Sequence, residues 1–273
     1  MEAVNFDRAA GDYDATRALP AASMDRLTAM LAARLRGRQP CLEIGVGTGR
    51  IALPLSRRGI TLAGIDISGA MLRRVAVNAG GVTPVPLVQA DATRLPAATG
   101  AFGAVLAVNV LHLIPTWRLA VDEAVRVLRP GGVVVASFPG EGRAPRAHRG
   151  PSQPGEALEA APWAGALRES LERHGMSRLA AGARNAHEVA GYLGRRAVRR
   201  SLDPVTVRET QTLGQALDRL ERQIYSWTWP YTQGQVRAVC HDLQGWAARE
   251  NVALEAGHIV ASQMRCWAFE LPA

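Results

Sequence analysis

Apolar residues along the first half of the chain follow two periods in alternation. Residues 22–35 carry Met24, Leu27, Met30, Leu31 and Leu35 at helical spacing, which predicts an amphipathic helix packed on a core and stopped by Gly37 and Pro40. The short run Cys41-Leu42-Glu43-Ile44 predicts a buried strand; Gly45, Gly47 and Gly49 follow, and 50–56 reads as a helix. Further strands are predicted over 60–66, 84–90, 102–108 and 133–138, with a helical period over 117–128. Buried strands alternating with amphipathic helices predict an α/β, doubly wound sheet.

Beyond Phe138 the pattern changes. Residues 140–155 are rich in Gly, Pro and Arg and read as a loop, and 161–174 and 185–193 read as helices. Residues 197–207 read as a strand, 213–223 and 236–248 as helices, and 258–271 as a closing strand. The expected division is an N-terminal cap and ligand-binding core over 1–139, a helical lid inserted over 140–195, and closing elements of the same domain over 196–273.

Composition narrows the class. With 48% hydrophobic and 21% charged residues the chain reads as globular. No apolar run is long enough to span a bilayer and no basic-then-apolar leader opens it, so a cytoplasmic location is expected. Cys41, Cys240 and Cys266 lack metal-ligand spacing and are expected to be reduced thiols. The net charge of +8 arises without a single lysine, and its densest patch, Arg195-Arg196-Ala197-Val198-Arg199-Arg200, suits a solvated edge or a phosphate-binding stripe.

The glycines fall as GxGxG, not the GxGxxG of dinucleotide binders, and Glu43 stands two residues before the first of them. With Asp66 at the end of the second strand, the FDxxAxxYD opening and the LRPGG turn at 128–132, the chain resembles the class I S-adenosylmethionine (SAM)-dependent methyltransferases. It is similar to their small-molecule, ubiquinone-biosynthesis-type branch (methyltransferase domain 11/25-like). The resemblance implies a seven-stranded Rossmann-like sheet with a helical lid after strand five, SAM as cofactor and S-adenosylhomocysteine (SAH) as product. It implies a cofactor site built from Glu43, Gly45, Val46, Gly47 and Gly49, from Asp66 and Ile67 at the ribose, and from Asp91 and Ala92 at the adenine. Met71 can pack on the adenine, Asn109 lies at a strand's carboxyl end, and Tyr13 belongs to a segment that caps the site. Each has a plainer reading: Asp66 as a helix cap, Asp91 as a turn acid, the first residues as a tail.

His112 is the best general-base candidate, or only a shaper of the pocket. Trp117 and the aromatic run holding Tyr225, Trp227 and Trp229 are substrate-pocket candidates, although such runs also build cores. Strand four ends in Asn109-Val110-Leu111-His112, unlike the sequences that grip exocyclic base amines, and no Pro-Cys nucleophile stands there. No acidic cluster resembles a magnesium site. The leading reading is therefore metal-independent transfer to a small-molecule substrate, with a nucleic-acid partner disfavoured and the oligomeric state unread. RNA methylation and SAM binding without transfer stay open as alternatives.

Overall fold

The computed structural model describes residues 4–138, 161–176 and 181–273. The expected loop over 140–155 lies outside them. The chain divides into two compact units, one of Met1–Gly142, Ala181–Val205 and Met264–Ala273, the other of Arg143–Ala180 and Thr206–Gln263.

The first unit holds strands β1 (Cys41–Ile44), β2 (Leu62–Asp66), β3 (Leu87–Gln89), β4 (Phe102–Val108), β5 (Leu128–Ser137), β6 (Val198–Ser201) and β9 (Cys266–Glu270). They form one seven-stranded sheet in the order β3-β2-β1-β4-β5-β9-β6. β1 to β5 run parallel, while β9 lies antiparallel to both β5 and β6. Alternation along the strands serves both faces, as a doubly covered sheet requires. Leu42, Ile44, Val105 and Val134 pack with α5 (Trp117–Val127) and α7 (Ala186–Leu193). Cys41, Ala104, Leu106 and Val133 pack with α2 (Ala21–Leu35) and α3 (Ala52–Arg57). α5 shows the cause: Trp117, Ala120, Val121, Ala124 and Val127 are its buried residues, at one-face helical spacing.

The second unit packs α6 (Ala164–Arg173), α8 (Leu213–Glu221) and α9 (Gln233–Arg249) around Leu171, Leu217, Val239 and Leu243. α8 and α9 each begin with a capping box, Thr212 with Gln215 and Thr232 with Gln235. β7 (Val205–Gln211) and β8 (His258–Met264) form a separate two-stranded sheet.

Several sequence boundaries shift for physical reasons. The strand expected over 197–207 is two strands in different sheets, separated by residues that include Pro204, which has no N–H to donate. The closing strand over 258–271 likewise divides at Arg265 into β8 and β9. The third strand shrinks to Leu87–Gln89, preceded by Pro84 and Pro86, which have no N–H to donate to a ladder; Pro86 O still accepts from Gly64 N–H at 2.9 Å. The LRPGG segment, expected as a turn, belongs to β5 itself, with a register irregularity opposite Phe102 and Ala104. α7, expected in the inserted segment, packs with α5 in the first unit. No helix among the described residues is long and apolar enough to cross a membrane.

Candidate active site

The carboxyl ends of β1, β2 and β4 meet in the first unit, and a cleft opens there. It holds about 710 Å³ including its open mouth. Gly47 sits in it with φ +56°, and the position its Cβ would take is open, the nearest heavy atom being Gly45 O at 4.0 Å. Gly45 answers a different need, since a Cβ there would stand 2.5 Å from Val110 Cγ2. Asp66 closes β2 beside this loop. Its carboxylate accepts from Gly47 N–H at 2.9 Å and from Ser68 N–H at 2.9 Å, one bond to each oxygen. Burial nevertheless raises its pKa above the ordinary value, outweighing those donors.

The N-terminal segment forms one wall. Val4, Phe6 and Tyr13 line the cleft, with the Phe6 and Tyr13 rings edge to face at 5.9 Å. Two acids tie it down. Asp7 accepts from the Ser68 hydroxyl at 2.5 Å and Ala70 N–H at 3.2 Å, at the start of α4 (Gly69–Asn78). Asp14 accepts from the Thr48 hydroxyl at 2.5 Å and Asn78 Nδ2 at 2.9 Å. The Ser68 hydrogen bond holds the Asp7 carboxyl below its usual range. Sequence reasoning noticed Tyr13 but passed over Asp7 and Asp14, although both acids stand in the FDxxAxxYD pattern that drew attention to the segment.

Of the cofactor candidates, Tyr13, Gly45, Gly47, Asp66, Ile67, Met71, Asp91, Ala92 and Asn109 line the cleft. Asp91 Oδ1 accepts from both the N–H and the hydroxyl of Thr93 at 2.8 Å, an Asx turn that fixes the acid. Val46, Gly49 and Glu43 do not line it. The Val46 side chain packs over Gly64, and Gly49 lies against Val75 and Leu53. Glu43 is 2% exposed in β1, and its Oε2 has no hydrogen-bond partner. Burial, opposed by Arg50 and reinforced by Asp66, pushes its pKa up to about 8.

His112 stands in the 3-10 turn Leu111–Leu113, whose Leu113 lines the cleft while His112 does not. The segment that re-enters the first unit clamps this turn: Gly182 N–H donates to His112 O at 2.9 Å and Ala183 N–H to Leu111 O at 3.1 Å. The imidazole Nδ1 is buried without a partner, and burial, with Arg17 adding to it, lowers the pKa to about 4. Trp117 is a core residue, 6% exposed and edge to face with Tyr192 at 5.5 Å. Tyr225, Trp227 and Trp229 lie in the second unit, where Tyr225 and Trp227 stack at 6.0 Å and Trp229 Nε1 donates to Gln223 O at 2.8 Å. The structure thus brings Gly45, Gly47, Asp66, Asp91 and Asn109 together and leaves Gly49, His112 and Trp117 out of the cleft lining.

Residues 42–136 match the family described as Methyltransferase domain, a segment running from β1 into β5. The malonyl-[acyl-carrier protein] O-methyltransferase of Geobacter sulfurreducens is 33% identical over 141 residues, 50% of this chain and 52% of that protein. The demethylmenaquinone methyltransferase of Beutenbergia cavernae is 34% identical over 137 residues, 49% of this chain and 56% of that one. The chain spans about half the length of these curated relatives. A putative methyltransferase from Bacillus halodurans superposes with a TM-score of 0.59 at 15% identity, covering 91% of this chain and 99% of that one, a likeness of fold alone. The matched segment contains the glycine loop, Asp66 and Asp91, and over these residues the chain carries a methyltransferase domain similar to that of the named relatives.

Proposed function

We propose that the chain transfers a methyl group from SAM to a small-molecule acceptor, without a metal, with the cofactor held in the cleft of the first unit. Asp66 carries this reading. Two backbone N–H groups fix its carboxylate beside the open face of Gly47, and each oxygen keeps a lone pair for a vicinal diol. The vacant Cβ direction at Gly47 is where a ligand can approach bare backbone.

Asp66 would hold the ribose hydroxyls, Asp91 and the backbone of Ala92 would meet the adenine edge, and Met71 and Ile67 would pack on the ring. When bound, SAM supplies a methyl group already activated by its sulfonium, so the protein's share is alignment and, where needed, removal of a proton. His112 is neutral at pH 7 with its pKa near 4, and its unpartnered Nδ1 can accept.

Three of the four arginines of the patch have partners within the protein, which favours a small molecule over RNA. Arg196 pairs with Asp122 at 3.0 Å, Arg199 lies 4.9 Å from the centre of the Trp267 ring, and Arg200 pairs with Glu270 at 2.6 Å. Incubation of the protein with methyl-labelled SAM and a desalted cell extract tests the reading. Label in the small-molecule fraction is the expected result, and label in RNA would replace it with the nucleic-acid reading. His112→Ala is expected to lose turnover while keeping SAH affinity; normal turnover would return His112 to packing.

A further inference from the structure

Asn109 is a wall of the cleft, and its backbone is unusual. Its φ of +54° lies in the left-handed region, which residues other than glycine seldom adopt. Among the described residues, its hydrogen bonds run to one partner. Ser137 ends β5 opposite Val108 of β4 and is 1% exposed. The Ser137 hydroxyl accepts from Asn109 N–H at 3.1 Å and donates to Asn109 Oδ1 at 3.1 Å, while the Ser137 carbonyl also accepts from that N–H at 3.2 Å.

These bonds set the direction of the amide. A hydroxyl has one hydrogen to give, and here it goes to Oδ1. The carbonyl end of the Asn109 side chain is thereby used inside the protein. What remains is Nδ2 with its donor hydrogens, a group that pairs with an oxygen.

We propose that Ser137 is a positioning residue for ligand binding: it locks the left-handed backbone of Asn109 and turns its amide so that Nδ2 donates to an oxygen of the bound adenosyl ligand. This rests on the cofactor reading above. It gives a role to a buried serine that the sequence did not single out.

Calorimetric titration with SAH tests it without knowledge of the acceptor. Ser137→Ala and Asn109→Ala are each expected to weaken binding about three- to tenfold, the loss of one hydrogen bond to the ligand. The double variant is expected to bind no more weakly than Asn109→Ala, because both changes remove one device. Ser137→Ala is expected to stay folded, as Asn109 N–H keeps the carbonyl of residue 137, and thermal melting checks this. Asn109→Asp keeps the bond from Ser137 but puts an oxygen where the donor was, and is expected to bind no better than Asn109→Ala.

Wild-type affinity in Ser137→Ala, or losses that multiply in the double variant, would overturn the positioning role. Wild-type affinity in Asn109→Asp would overturn the donor assignment. A wild-type protein with no affinity for SAH would instead overturn the cofactor reading and take this proposal with it, a result separable from a wild type that binds and a series that does not couple.

Discussion

The carboxyl edge of the sheet and the aromatic turn from Tyr225 to Tyr231 looked alike in one respect: each concentrates residues that commonly build sites. They differ in where their polar atoms go. In the turn, Trp229 Nε1 donates to Gln223 O, Gln223 Nε2 donates to the carbonyls of Thr228 and Tyr231, and the Thr228 hydroxyl donates to Tyr225 O. These bonds close on the turn itself, and Tyr225, Trp227 and Tyr231 pack against the core of their own unit. At the sheet edge, by contrast, Asp66 and Asp91 are oriented by backbone donors and still face a cleft. Polar groups that are held but not used up mark a site better than aromatic density does.

The sharpest way to break this contrast is Gly47→Val. The added side chain would fill the open space above the loop and force a β-branched residue to φ +56°, so SAH binding is expected to vanish while circular dichroism still reports a folded sheet. Retained binding would remove the loop from the site. In the second unit, Trp227→Ala is expected to cost about 2–3 kcal/mol of stability through lost packing, with SAH affinity unchanged. A fall in affinity with no fall in melting temperature would make the turn part of the site after all. Asp66→Ala is expected to weaken SAH binding by about 1–3 kcal/mol, as loss of charge-assisted hydrogen bonds does.

The smallest effect is a matter of pH. Burial raises the Glu43 pKa from 4.5 to about 8, so the folded protein keeps a proton that the unfolded chain has released. Its contribution to stability is whole below about pH 4.5 and drains away as pH rises through 8. His112 works in the opposite sense: with its pKa lowered from 6.5 to about 4, its contribution is whole above 6.5 and drains away as pH falls through 4. Melting curves across this range should show Glu43→Gln flattening the slope between about pH 4.5 and 8 and leaving the slope below about pH 4.5 as it was. An unchanged slope between about pH 4.5 and 8 would mean that Glu43 is ionised in the folded protein.

Local signals carried the parallel half of the sheet and the glycine loop because both depend on neighbours in sequence. Buried strands advertise themselves as apolar runs, α2 and α5 by the spacing of their core residues, and the loop by glycines that only its backbone angles explain. Asp66 and Asp91 could be placed from sequence because one ends a parallel strand and the other follows the next one by two residues, and the rule for open α/β sheets puts such ends at a ligand crevice. Strand partnership was beyond reach. Residues 258–271 carry one alternating pattern, yet β9 inserts between β5 and β6 while β8 pairs with β7, a choice made by residues far away in the chain.

By itself, then, the sequence determined the strand-and-helix alternation, the loop chemistry and the two acids that face the cleft. Tertiary structure alone decided that Trp117 is core, that Asp7 and Asp14 tie down the N-terminal wall, and that Ser137 holds Asn109. The reason is separation. Asp7 finds Ser68 and Asp14 finds Thr48 across tens of residues, and Ser137 finds Asn109 across a pair of neighbouring strands. Nothing in a local pattern encodes a hydrogen bond that only the folded sheet brings within reach.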